Sequence, residues 1–310
     1  PGSQAYLGAR WTRYPFKVVT RVSAGEYRAH IWDYSKVGII VYPLLSLLFG
    51  VGIFWLTGRS TSPTQELKRA LDQQEFIPYL QPVVTGDDAH WSGCEVLMRW
   101  QHPRQGMISP DRFIPLAEDS GLIVPMTRLL MAQVREAFAP LADQLPRGFH
   151  FGFNISASHC KDLSLLDDCR DFIGAFRGNP IKLVLELTER ELIVADETTD
   201  RLFAELHQLG VFIAIDDFGT GHSSLTYLQT FQVDFLKIDQ SFVGMIGSDA
   251  LSSHIVENVI DLATRLGLLL VAEGVENQVQ ADYLKERQVS FLQGYFYGRP
   301  MPMTAFASLL

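Results

Sequence analysis

The chain has 310 residues, 47% of them hydrophobic, which is enough for one large α/β domain and an appendage. Its formal net charge of −9 argues against a binder of nucleic acid polymers, which needs basic surface to displace counterions. The three cysteines, Cys94, Cys160 and Cys169, show no CxxC or Cys/His spacing, so a thiolate zinc site is not expected and a reducing compartment suits the segment that holds them.

The chain opens at Pro1 rather than Met, which reads as a piece of a longer protein. Residues 1–36 are mixed and aromatic, and Phe16–Val22 alternates like a half-buried strand. This segment is expected to be the end of a domain whose body lies upstream. Val37–Thr57 then runs without a charged residue between Lys36 and Arg59. At helical rise it would reach about 30 Å, the thickness of a bilayer core, so one transmembrane helix is expected over 37–57. Residues 58–75 form a juxtamembrane linker. Within it, Ser62-Pro63-Thr64-Gln65 carries a helix start signal, and Glu66–Gln74 is the helix that should follow.

From Phe76 the rhythm changes to strands alternating with helices. Strands are expected at Ile77–Val84, Cys94–Trp100, Phe149–Ile155, Lys182–Leu187, Phe212–Ile215, Phe235–Ile238, Leu268–Ala272 and Phe291–Tyr297. Helices such as Thr127–Leu141 and Thr198–Leu209 lie between them. Eight such strands fit a TIM-like (β/α)8 barrel over residues 76–310. A doubly wound sheet is the alternative, weakened because no GxGxxG follows the first strand.

Nearly every one of these strands ends on, or encloses, a polar group. Phe212-Ile213-Ala214-Ile215 runs into Asp216-Asp217 and then the turn Gly219-Thr220-Gly221. Two adjacent carboxylates repel and resist desolvation unless a proton or cation compensates them. Such a pair can also merely cap a helix, but the pattern recurs. Glu95 lies in Cys94–Trp100, Asn154 follows Phe151-Gly152-Phe153, and Glu186 interrupts Leu183–Leu187. Lys237 and Asp239 sit in Phe235–Asp239, Glu273 follows Leu269–Ala272, and Gln293 follows Phe291-Leu292. Several oxygen donors at one barrel mouth suit a hard cation such as Mg²⁺ or Mn²⁺, and a pair of ions suits phosphoryl chemistry. Arg99 and Lys237 supply positive charge for a phosphate.

These residues resemble the EAL-domain family of cyclic di-GMP phosphodiesterases. Glu95-Val96-Leu97-Met98-Arg99 is similar to the family's E-x-L-x-R signature, with Val96 in place of the usual Ala. Asn154, Glu186-Leu187-Thr188-Glu189, Asp216–Gly221, Lys237-Ile238-Asp239, Glu273-Gly274-Val275-Glu276 and Gln293-Gly294-Tyr295 follow in the family's order. His222 stands where the family often has Tyr. The resemblance implies two metal ions, Mg²⁺ or Mn²⁺, held by Glu95, Asn154, Glu186, Asp216, Asp217 and Glu273. It implies Lys237 and Glu273 as catalytic groups, and Gln81, Arg99, Glu276 and Gln293 as substrate-positioning groups. Glu189 would anchor the loop that carries Gly219, Thr220 and Gly221. The expected substrate is cyclic di-GMP, and the expected assembly a homodimer. The upstream piece also resembles a membrane-bound subgroup with a periplasmic sensor bearing a Cys-Ser-Ser segment, although 1–36 has no such segment. That resemblance implies the bacterial inner membrane, with the barrel in the cytoplasm and the N-terminal residues in the periplasm.

Overall fold

The computed structural model describes residues 4–10, 17–57, 62–176, 178–188, 196–218, 232–247 and 250–310. They divide into two compact units, Pro1–Ser62 and Pro63–Leu310. In the first unit, β1 (Gln4–Arg10) pairs antiparallel with β2 (Lys17–Ser23), from Gln4↔Ser23 to Arg10↔Lys17. The alternation expected over Phe16–Val22 falls on this second strand from Lys17 onward, and Phe16 lies outside the described residues. The partner strand is harder to read, because Gly8 and two alanines dilute the pattern. Helix α1 (Ala24–Thr57) then runs unbroken through residue 36, with Pro43 inside it, so the expected boundary at 36/37 falls within one helix.

The expectation of a transmembrane helix at 37–57 meets a correction. Among the described residues, no helix is long and apolar enough to cross a membrane.

The second unit begins with α2 (Pro63–Asp72), which places Pro63 at its first position and buries Leu67 and Ala70. Eight strands then close a barrel: β3 (Phe76–Thr85), β4 (Trp91–His102), β6 (His150–Ile155), β7 (Lys182–Thr188), β8 (Val211–Phe218), β9 (Phe235–Ile238), β10 (Leu269–Ala272) and β11 (Phe291–Gln293). Two short strands, β5 (Gly106–Ile108) and β12 (Met301–Pro302), pair with β4 and β3. The outer helices are α3 (Ile114–Asp119), α4 (Ile123–Phe138), α5 (Ser164–Gly174), α6 (Glu197–Leu209), α7 (Gln240–Val243), α8 (Ala250–Leu266), α9 (Gln278–Glu286) and α10 (Met303–Ala307).

One feature departs from a regular (β/α)8 barrel. The first strand, β3, runs antiparallel to both neighbours, with Gln81↔Glu95 toward β4 and Val84↔Leu292 toward β11. The other six interfaces of the barrel are parallel. The reason is local. Only residues 86–90 join β3 to β4, whereas a parallel pair needs a crossover of a dozen residues or more.

Side chains two apart share a face of a strand, so each strand presents one set to the helices and one to the barrel interior. The outward set builds a phenylalanine-rich layer: Phe151 and Phe153 meet Phe138, Phe172 and Phe176 from α4, α5 and the turn after α5, with ring centroids 5.3–5.7 Å apart. The inward set is separate. Val184, Ala214, Phe235 and Val271 form a small apolar plug inside the barrel, with Phe212 and Phe291 packed against it.

Candidate active site

One step of two residues beyond the plug converts it into a polar layer. Val184 leads to Glu186, Ala214 to Asp216, Phe235 to Lys237, Val271 to Glu273 and Phe291 to Gln293. Opposite them, Gly93 leads to Glu95 on β4 and Gly152 to Asn154 on β6. The plug closes the interior beneath this layer, so the polar groups open only toward the C-terminal mouth, where barrel enzymes carry their chemistry.

Asp216 and Asp217 need a further device. In an unbroken strand they would point to opposite faces. The β8–β9 register shifts between Ile215 and Phe218, and Asp217 takes φ 55°, the left-handed region that Asp tolerates better than most residues. Its N–H donates to Asp216 Oδ1 at 2.9 Å. Through this bulge, carboxylate oxygens of Asp216, Asp217 and Glu273 come within 4.8 Å of one another.

Lys237 is the centre of the layer and is 2% exposed. Its Nζ lies 2.5 Å from Glu186 Oε2, 2.5 Å from Glu273 Oε1, 3.4 Å from Asp216 Oδ1 and 3.5 Å from Glu95 Oε2. Burial works against the ammonium, but Asp216, Glu186, Glu273 and Glu95 outweigh it and hold the group well above the usual lysine range. One cation cannot serve every carboxylate. Burial drives Glu186 up to about 8, with Lys237 offsetting part of that and Glu95 and Asp216 adding repulsion. Glu273 and Asp216 are likewise raised, mainly by burial, and Asp217 is raised to about 6 by burial and by Asp216 and Asp239. Glu95 alone goes the other way. Burial opposes its charge, but Lys237 and hydrogen bonds from Gln293 and Asn154 bring it below the usual carboxylate range.

Asn154 Nδ2 donates to Glu95 Oε1 at 2.8 Å, and Gln293 Nε2 donates to Glu95 Oε2 at 2.7 Å and to Gln81 Oε1 at 3.2 Å. Gln81 in turn donates to the Gly298 carbonyl at 3.3 Å. Arg99 is half-buried at the rim, donating to the Met98 carbonyl at 2.9 Å, beside a cavity of about 210 Å³ lined by Leu97, Pro110, Ile114, Asn154 and Thr188. Thus Gln81, Glu95, Asn154, Glu186, Asp216, Asp217, Lys237, Glu273 and Gln293 converge, with Arg99 at their edge. Glu276 does not join them: it is exposed, and its backbone N–H donates to Gln280 Oε1 at 2.7 Å. Glu189, Gly219, Thr220, Gly221 and His222 lie outside the described residues.

Sequence reasoning passed over Gly152. It pairs in register with Glu95, and a Cβ there would stand 2.1 Å from Glu186 Oε1. The signal was present, because a glycine inside the apolar run Phe151-Gly152-Phe153 marks a close approach. Gly294, after Gln293, is equally constrained, since a Cβ would meet the Val275 backbone at 2.2 Å.

The oxygen-rich donor set of Asp216, Asp217 and Glu273, with carboxylates that burial leaves short of compensating charge, fits a hard divalent cation. The profile of the EAL domain matches residues 64–300. The cyclic di-GMP phosphodiesterase PdeL of Escherichia coli (strain K12) is 47% identical over 244 residues, covering 79% of this chain and 67% of that protein. The probable cyclic di-GMP phosphodiesterase PdeG of the same organism is 44% identical over 273 residues, covering 84% of this chain. The chain spans about half of PdeG's length, 54%. Among solved structures, the PaMucR phosphodiesterase in complex with c-di-GMP superposes with a TM-score of 0.71 at 32% identity, covering 79% of this chain and all of that one. The order of strands, the converging acidic layer and these likenesses lead to one conclusion: the chain belongs to the EAL-domain family.

Proposed function

We propose that this chain is a phosphodiesterase that hydrolyses cyclic di-GMP to linear pGpG with two divalent ions, Mg²⁺ or Mn²⁺. The observation that carries the reading is a charge imbalance. Five carboxylates, those of Glu95, Glu186, Asp216, Asp217 and Glu273, share the single ammonium of Lys237. The surplus is what two divalent cations would neutralise. The homologous phosphodiesterases and the c-di-GMP-bound neighbour support the choice of substrate.

Glu95, Asn154, Glu186, Asp216, Asp217 and Glu273 would hold the ions. Such ions, when bound, supply charge neutralisation at the phosphoryl oxygens and make water a stronger nucleophile. The protein's own groups do the rest. Arg99, at the edge of the layer, is placed to take a phosphate through its guanidinium fork. Lys237, pinned by Glu186 and Glu273, is kept charged and oriented toward the reacting phosphate. Glu273, whose carboxyl burial raises, is the group best suited to take a proton from the attacking water. Gln293, braced by Gln81, holds Glu95 in place, and the cavity beside Arg99 offers room for a base of the substrate.

The test is incubation of the purified chain with cyclic di-GMP and Mg²⁺ or Mn²⁺, followed by chromatography for pGpG. Binding without turnover would mark a receptor instead and overturn the reading.

Location at the bacterial inner membrane, with the barrel in the cytoplasm, a periplasmic N-terminal sensor and a homodimeric assembly belong to the same proposal. The charge-free run and the exposed apolar side chains of Ile39, Ile40, Leu44, Phe49 and Phe54 support the membrane part. Recovery of the full chain in the aqueous fraction of lysed cells would overturn that part, and a monomer by light scattering would overturn the dimer.

A further inference from the structure

The apolar plug is incomplete on one side. Val184 and Ala214 fill it on β7 and β8, but the matching positions on β4 and β6, two residues before Glu95 and Asn154, are Gly93 and Gly152. A side chain from below takes part of the gap. A Cβ at Gly93 would overlap the His150 imidazole, which also packs edge-on against Phe291 with ring centroids 5.1 Å apart. Burial first, and then the charge of Lys182, bring this imidazole down to about 4. At neutral pH it is uncharged and offers one N–H and one lone pair.

A cavity of about 20 Å³ remains between this ring, the plug and the catalytic layer. His150, Val184 and Ala214 line it together with Glu186, Lys237 and Gln293. A water needs about 10–15 Å³ of such space and two to four polar partners, and this cavity meets both conditions.

One lining group calls for a donor. Gln293 is 4% exposed, and its Nε2 is committed to Glu95 Oε2 and Gln81 Oε1. Turning the amide over would set its oxygen against the Glu95 carboxylate, so its orientation is fixed. Oε1 is buried and finds no donor among the described residues. A buried carbonyl oxygen left in that condition costs the full desolvation of the group.

We propose that the cavity beneath the catalytic layer is a binding site for one water molecule, which donates to Gln293 Oε1 and makes its remaining bonds to the polar side chains lining the same space. The water is a positioning element: it holds Gln293, and Gln293 holds Glu95. The glycines at 93 and 152 make the room for it, which an all-apolar plug would close. The site stands independently of the phosphodiesterase reading, and only the kinetic part of its test draws on that reading.

The experiment is high-resolution diffraction from crystals of the full chain, paired with steady-state kinetics of Ala214→Val and Ala214→Thr. The wild type should show an ordered water within hydrogen-bond distance of Gln293 Oε1. Its absence from maps that order other interior waters would overturn the site. Ala214→Val puts two methyl groups into the space and should expel the water. Its kcat on cyclic di-GMP should fall about tenfold with KM within about twofold, the scale on which loss of an outer partner of a metal ligand is felt. The Mn²⁺ concentration for half-maximal rate should rise by a similar factor. Ala214→Thr has the same shape but carries a hydroxyl that can donate in the water's place, so it should keep at least about half of the wild-type kcat. Equal losses in the two variants would reduce the effect to overpacking and overturn the positioning role. So would a wild-type kcat in a Val variant whose crystals lack the water. A wild type inert toward cyclic di-GMP would overturn the functional reading and leave this site to be decided by the diffraction.

Discussion

Two layers of the same barrel interior, one residue pair apart, obey opposite rules. The plug of Val184, Ala214, Phe235 and Val271 is apolar, buried and silent in chemistry. The layer above it gathers five carboxylates around one ammonium, and burial raises the pKa of most of them. Removing one partner of a buried ion pair ordinarily destabilises, because the other charge is stranded. Here carboxylates already outnumber the one ammonium, so the upper layer carries a charge surplus that protons or bound cations would relieve. Stability belongs to the lower layer and reactivity to the upper one.

The contrast can be broken most severely from above. Asp216→Ala or Glu95→Ala should lower pGpG formation by at least about a thousandfold, since each removes charge stabilisation in a water-poor site. The far-ultraviolet circular dichroism should stay unchanged. In the wild type, Mn²⁺ should raise Tm in a concentration-dependent way by favouring the folded state, and Asp216→Ala should blunt that rise. An Asp216→Ala protein with full turnover would dissolve the distinction between the layers.

Gly152→Ala probes the junction between them. The added Cβ would stand 2.1 Å from Glu186 Oε1, so that carboxylate must move. Turnover should fall about a hundredfold, the scale on which misplacement of catalytic groups by about 1 Å is felt. The Tm should fall less than for a core deletion.

Phe235→Ala in the plug should reverse the ranking. It leaves a cavity and costs about 3–5 kcal/mol of stability in urea unfolding, while kcat measured well below Tm stays near wild type. Lys237 is two residues away on the same face, so a collapse of kcat would show that the plug also positions the upper layer.

A gentler test uses pH on a residue of the outer shell. His159 is 3% exposed, and its Nδ1 accepts from the Ser156 N–H at 3.0 Å. Burial first, and also the nearby positive charge of Arg128, push it down to about 4 from 6.5. The unfolded chain therefore takes up this proton at higher pH than the folded one. The contribution is intact above pH 6.5 and is lost as pH falls toward 4, by up to about 3 kcal/mol. A His159→Gln protein whose urea midpoint is less acid-sensitive over that window would confirm the assignment, and an unchanged acid slope would remove it. The smallest effect is expected from Val96→Ala. The Val96 side chain belongs to the outer core rather than to Glu95's face, so about 1.5 kcal/mol of stability goes with two methyl groups and turnover stays.

Much of this was legible before any coordinates. Alternation along each strand identified which residues share a face with Glu186, Lys237 or Glu273, because side-chain direction repeats every two residues whatever the surroundings. The start of α2 at Pro63 and the strands over Lys182–Thr188 and Phe235–Ile238 followed from caps and apolar runs. Even the antiparallel first strand was implicit in the short link from Thr85 to Trp91, although the eight-strand count obscured it. The strand expected at Phe291–Tyr297 was overextended, because Gly294 and its hydrogen bonds begin a turn.

What the chain order alone left open was distance. Glu95 and Gln293 are nearly two hundred residues apart and touch because the barrel closes through β3, an event settled by the sheet as a whole. The left-handed turn at Asp217 aims two neighbouring carboxylates at one place against the ordinary alternation of a strand, and only pairing with β9 reveals the shift. Glu276, three residues past Glu273, shares its motif and yet faces water. Local pattern decides which way a side chain points. Closure and register decide what it meets, because they depend on contacts between segments that no single stretch of sequence contains.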